Sequence, residues 1–212
     1  MTTAGSTADQ PRKRMPRAER ERQMLQIAEE IFSERGYLAT SVDDIAERCG
    51  VSKPMIYEYF GSKEGLLVAC IRAARAELAE VTTKAAVGAN TPEEALRRGL
   101  RAFLTFADSH RRAWALLLSG EAAAAGPAAA EEVEAGRRQQ VEIDVMLFRS
   151  FLPDAPQRAL EAAAQVVVGA CERLSLWYVA QEEMGADEAA EYLIMSLWHG
   201  LSGLIDRNNP SG

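Results

Sequence analysis

Cysteine and histidine are scarce in this 212-residue chain, at three and two. Cys49, Cys70 and Cys171 are odd in number and far apart, and each sits in an apolar helical pattern. That excludes a disulfide framework and suits a reducing cytoplasm. His110 and His199 stand in no zinc-like spacing with Cys, Asp or Glu, so no metal site is expected. Gly200-Leu201-Ser202-Gly203 lacks the spacing of a nucleophile elbow, and no Gly-rich loop offers a phosphate cradle. No cofactor and no catalysis are therefore expected. No apolar run reaches the ~18 residues of a membrane span, and the basic start lacks the apolar stretch of a secretory signal. Sustained two-residue alternation and Asn-Gly or Asp-Gly hairpin turns are missing too, which leaves no convincing strand.

The composition is globular, 48% apolar and 26% charged, and so argues against wholesale disorder. The net charge of -7 is unevenly spread. Residues 1–75 carry 12 basic against 11 acidic side chains, and residues 76–212 carry 12 against 20. Any polyanion partner therefore belongs to the first third of the chain, where the first 22 residues alone hold six basic groups.

The periodicity predicts an all-α chain of about nine helices. Residues 1–16, with Arg12, Lys13 and Arg14, read as a disordered basic arm, either a solubilising tail or an arm that lies along phosphates or in a minor groove. A helix over 17–35 puts Leu25, Ala28, Ile31 and Phe32 on one face and stops at Gly36. Ser41 and Ser52 cap two short helices, and Gly50 stands where the turn between them wants a positive φ. Ser62 caps a long helix into the eighties. Thr91-Pro92-Glu93-Glu94 opens the next one with a cap, a proline at the first position and a capping box. A shorter helix with Trp114, Leu117 and Leu118 follows His110. Then come helices from Pro127 to about Leu152, from 156 to 182 and from 187 to 206, and residues 207–212 read as a loose tail.

Two short helices around a glycine turn form a helix-turn-helix, whose second helix enters the major groove of DNA. Val42, Ile45, Ala46, Val51, Ile56 and Phe60 supply its small core. Ser52 and Lys53 stand at the start of the reading helix, where free N–H groups and the helix dipole favour phosphate. Pro54 is tolerated in that first turn. Met55 suits a thymine methyl or a sugar, and Tyr57 and Tyr59 suit phosphates or base edges, or else are half-buried rings with wet tips.

The pieces Gly36-Tyr37, Thr40-Ser41-Val42, Ile45-Ala46, Gly50-Val51-Ser52, Tyr57, Tyr59-Phe60 and Ser62-Lys63-Glu64 together resemble the DNA-binding module of the TetR family of transcriptional regulators. The resemblance implies a homodimer on a palindromic, double-stranded operator and a small effector that releases the DNA. It also implies that Thr40 or Ser41 on one side, and Lys63 on the other, hold phosphates. The domain boundaries expected are 17–62 for the DNA-binding module and 63–206 for effector binding and dimerisation.

Beyond the resemblance, the last two helices have wide apolar surfaces. Val167, Cys171, Leu174 and Tyr178 on one, with Leu197, Trp198, Leu201 and Leu204 on the other, are the candidate dimer interface, or else intramolecular core. Phe103, Phe106, Trp114, Leu117, Met146, Phe148 and Trp177 are the candidates for lining an effector cavity, or else solid core. Charge is sparse in that set, so the effector is expected to be apolar or amphipathic. Arg149 and Glu172 interrupt apolar stretches, as ligand-orienting groups or as surface residues.

Overall fold

Hydroxyl side chains mark where this chain turns into helix. A computed structural model describes residues 15–111, 114, 120, 124–181 and 183–208. Among them are eight α-helices and no strand. They are α1 (Arg17–Arg35), α2 (Val42–Cys49), α3 (Lys53–Phe60), α4 (Lys63–Ala86), α5 (Pro92–Ser109), α6 (Pro127–Phe151), α7 (Gln157–Tyr178) and α8 (Ala186–Asn208). Ser41, Ser62 and Thr91 accept hydrogen bonds from the third residue of α2, α4 and α5. Each satisfies an N–H that the helix itself leaves without a partner.

The bounds agree with the sequence expectation to within a few residues. The ninth helix, expected after His110, falls largely outside the described residues, Leu117 and Leu118 included. Arg111 and Trp114 carry helical backbone. The basic arm at Arg12, Lys13 and Arg14 and the tail beyond 208 also lie outside the described residues.

α1, α2 and α3 surround a small, solid core of Met24, Ala28, Ile31, Phe32, Val42, Ile45, Ala46, Cys49 and Ile56. α1 buries Met24 fully and leaves Leu25 only partly covered, a small rotation from the expected face. The first half of α4 closes this core with Leu66, Leu67, Cys70 and Ile71. Its second half packs against α5 and α6, so one helix belongs to both halves of the molecule. α8 packs on α5 and α7, and α6 packs on α7. All three cysteines are free and buried, and burial pushes the Cys70 and Cys171 thiols far up, away from thiolate chemistry. No described helix is long and apolar enough to cross a membrane.

Candidate functional site

Gly50 ends α2 in the left-handed region, at φ 65° and ψ 33°, and its N–H closes onto Ala46 and Glu47 carbonyls. A side chain there would be strained, so glycine lets the chain reverse within the three residues separating α2 from α3. Val51 and Ile56 fold inward from the turn and the reading helix, Ile56 with no exposed surface. Ile56 is the one fully buried residue of α3, Met55, Tyr59 and Phe60 are half-buried, and Lys53, Pro54, Tyr57 and Glu58 are left exposed.

The free surface carries most of the predicted contact residues. Ser52, Lys53 and Pro54 are exposed at the start of α3, and Tyr57 is 41% exposed one turn on. The Ser52 hydroxyl makes no capping bond, which leaves it available to a ligand. Lys53 Nζ donates to Asp43 Oδ2 at 2.8 Å across the turn. This carboxylate bond and charge raise the Lys53 pKa, so the ammonium is held charged beside the helix N-terminus. Met55 is half-buried. Tyr59 is half-buried beneath the Arg17 guanidinium, 4.6 Å from its ring centre, and leans on Phe60. Lys63 lies 4.2 Å over the Tyr37 ring, and burial pulls its pKa down.

Thr40 is a correction. It is 3% exposed, and its hydroxyl donates to Gly36 O at 2.8 Å, so it serves the loop between α1 and α2 rather than a phosphate. Of the expected pair, Ser41 is the one at the surface. Its hydroxyl and backbone N–H both bond the Asp44 carboxylate, at 2.7 and 3.0 Å, in a capping box that holds α2.

A cavity of about 410 Å³ opens between α4, α5, α6 and α7. Phe103, Trp114, Met146 and Phe148 line it as expected. Phe106 and Trp177 do not, and both are corrections. Phe106 is stacked on His110 and meets Trp114 edge-on inside the core. Trp177, 47% exposed, points outward from α7. Leu117 lies outside the described residues.

Glu172, one of the two polar candidates, lines the cavity, and residues absent from the expected set supply the rest of its polarity: Arg75, Asp144, Gln140 and Thr82. A signal for them exists in the sequence. Arg75 and Thr82 continue the stripe of Leu67, Ile71 and Leu78 down α4, where a core helix would carry apolar side chains. Glu172 accepts from Arg137 Nε at 2.8 Å and lies 3.7 Å from Arg75. Arg149 instead holds the end of α6, donating to Pro153 and Ala155 carbonyls.

The expected dimer stripe is also corrected. Val167, Cys171, Tyr178 and Leu197 are buried within one subunit, and Leu174 and Trp198 are half-buried against the same core. Val167 and Cys171 even face the cavity. The Leu201 and Leu204 side chains lie outside the described ones. α7 and α8 have apolar residues around most of their circumference, and the intramolecular core takes the expected stripe. What remains outside is Val166 (58% exposed) and Trp177 on α7, with Tyr192 and Met195 (57%) on α8.

Known proteins share this arrangement. Residues 25–70 match the family model described as bacterial regulatory proteins, tetR family, and residues 92–200 match a tetracyclin repressor-like C-terminal domain. The chain is similar to the HTH-type transcriptional activator FasR of Mycolicibacterium smegmatis, 29% identical over 189 residues that cover 89% of this chain and 86% of that protein. It is 32% identical over 160 residues to the HTH-type transcriptional regulator BetI of Rhizobium meliloti, covering 74% of this chain and 78% of BetI. The crystal structure of a TetR-like transcriptional regulator from Rhodococcus sp. RHA1 superposes with a TM-score of 0.70 at 36% identity, over 90% of this chain and all of that one.

Proposed function

We propose, from the premise that this chain belongs to the TetR family of DNA-binding transcriptional regulators, that it acts as an effector-responsive homodimeric repressor. The observation that carries the reading is α4. Its first turn holds Lys63 beside the reader, and its later turns, from Arg75 to Ala86, wall the cavity. A molecule entering the cavity pushes on the same rigid rod that positions the DNA contacts.

In this reading residues 17–62 form the DNA-binding module and residues 63–206 the effector and dimerisation domain. Ser41, Ser52, Lys53, Pro54, Met55, Tyr57, Tyr59 and Lys63 meet the operator. Phosphate contacts set position, and the side chains projecting from α3 read bases. One module buries too little surface for tight specific binding, so two copies engage half-sites about one helical turn apart or a multiple of it. The exposed Val166, Trp177, Tyr192 and Met195 form the centre of the pairing surface. An effector that changes the spacing of the two modules weakens binding by a coupling of about 1–3 kcal/mol.

The test is a screen of genomic fragments by gel shift, followed by a salt titration on the fragment retained. Lys53→Ala removes the shift at physiological salt and, where binding is still measurable at low salt, lowers the salt slope by about 0.9 for each copy bound, while the protein stays folded and dimeric. Unchanged DNA affinity sinks the assignment. FasR is named as an activator, which favours activation as the second reading. A promoter-reporter assay with and without the regulator separates the two by sign.

A further inference from the structure

We propose that the cavity is built for a hydrophobic organic cation, with Asp144 as the counter-charge and Phe103, Trp114 and Phe148 as the surrounding aromatic faces. The proposal rests on the reading of this cavity as the effector site and names the class of molecule it takes.

Three charged side chains line the cavity: Arg75, Glu172 and Asp144. Arg75 and Glu172 balance each other across 3.7 Å, and Arg137 reinforces Glu172 from behind. Arg75 is 11% exposed and pressed against α6, where a Cβ on Gly136 would lie 2.6 Å from its Nε. The Nε wedged against Gly136 has no hydrogen-bond partner among the described residues, and the charge of the guanidinium is matched by Glu172. Asp144 has no such match. Its one described hydrogen bond comes from the Gln140 amide, at 3.0 Å, and no cation among the described residues forms an ion pair with it. Desolvation holds its carboxyl up at about 6. Asp144 is therefore a carboxylate without a directly paired cation in a largely apolar wall, an arrangement that is costly unless a ligand supplies the positive partner.

The aromatic residues favour the same partner. Phe103 and Trp114 meet edge to face with centroids 5.5 Å apart. Trp114 Nε1 already donates to Ser175 Oγ at 2.9 Å, so its polar handle is satisfied and it contributes aromatic surface to the cavity wall. An aromatic wall packs any alkyl chain, and the ring quadrupole adds attraction for a cation. Both features select against a carboxylate-headed amphiphile of the same length, which would add a second anion beside Asp144.

Isothermal titration of the full chain with dodecyltrimethylammonium, dodecanol and laurate, each below its micelle concentration, tests this. The ammonium probe binds about tenfold or more tighter than the alcohol, and laurate binds weakest. Asp144→Asn removes most of the preference by weakening the ammonium probe, leaves dodecanol unchanged, and Asp144→Glu restores part of it. Ile143→Trp, which fills the cavity, abolishes binding of all three. If dodecanol and laurate bind in the cavity and the ammonium probe does not outrank them, the cation assignment falls and the effector reading stands. If Ile143→Trp leaves every affinity unchanged, or no probe binds, both fall.

Discussion

The reader is solid and the domain behind it is hollow, yet a single apolar cluster runs through both. In residues 17–62 short helices fill their interior with Met24, Ile31, Phe32, Ile45 and Ile56, and none of these retains more than a trace of exposed surface. Function lies on the outside, in side chains that the core has no use for. In the larger half α4, α5, α6 and α7 stand apart around about 410 Å³ of space, and the chemistry lies inside. The contrast teaches where each half tolerates change. A solid module transmits a change in any core residue straight to its surface. A hollow one leaves room for substitutions in its walls, which under the proposed effector reading change ligand choice.

Breaking the solid half has the largest expected effect. Ile56→Ala removes the only fully buried anchor of α3. It costs about 2–5 kcal/mol and, because only the half-buried Tyr59 and Phe60 then hold α3 to the core, operator binding as well. Thermal unfolding together with a gel shift checks both. A loss confined to stability, with the DNA affinity intact, would break the comparison.

The hollow half responds to acid in the opposite sense to an ordinary salt-bridged carboxylate. Asp144 titrates at about 6 in the folded chain, above its ordinary 3.8. The folded state therefore binds a proton that the unfolded state releases, and stability falls as pH rises through that window. Asp144→Asn removes the penalty and raises ligand-free stability above pH 6 by up to about 3 kcal/mol, with little change near pH 4. Melting curves of the two proteins across that range decide it. A gain of the same size at both ends would show that packing, not desolvation, is responsible.

A smaller effect is expected where the halves meet. Glu64, in the first turn of α4, accepts N–H bonds from Ala128 and Ala129 at the N-terminus of α6, at 2.8 and 3.3 Å. Gly126 makes room, since a Cβ there would overlap the carboxylate. Glu64→Gln keeps the shape and loses the charge facing the helix dipole, a change of about 1 kcal/mol. Because this bond ties a cavity-wall helix to the turn that carries Lys63, the effector's influence on DNA affinity should shrink as well. Operator titrations with and without an effector measure that.

The least effect on stability is expected at the reader's surface. Lys53→Ala exchanges an exposed ion pair with Asp43 for nothing, and surface pairs contribute little to folding. No measurable shift in melting temperature accompanies the loss of DNA binding. A clear drop in melting temperature would assign Lys53 a structural part and blur the division between inside and outside.

The two halves also differ in how far they were legible from sequence. The reader was legible nearly residue by residue because its signals are local. Ser41 with Asp44, Gly50, Pro54 and the spacing of Ile45 to Ile56 each act within a few residues of themselves. Thr40 escaped because its hydroxyl turns to Gly36 O, a choice set by the shape of the loop. In the larger half the helices were legible and their faces were not. Val167 and Val166 are neighbours of equal hydrophobicity, and one lines the cavity while the other lies 58% exposed. Trp177 and Tyr178 divide between surface and core.

By itself, then, the order of amino acids determined an all-α chain, the helix starts and the helix-turn-helix module, since caps, left-handed glycines and apolar spacing act over one or two turns. Only the tertiary structure decided which stripe of α7 and α8 turns inward, that a cavity exists, and that Asp144 and Arg75 face it. Those outcomes depend on how several helices share one interior. A helix with apolar residues around most of its circumference carries no internal preference among its faces until its neighbours are in place.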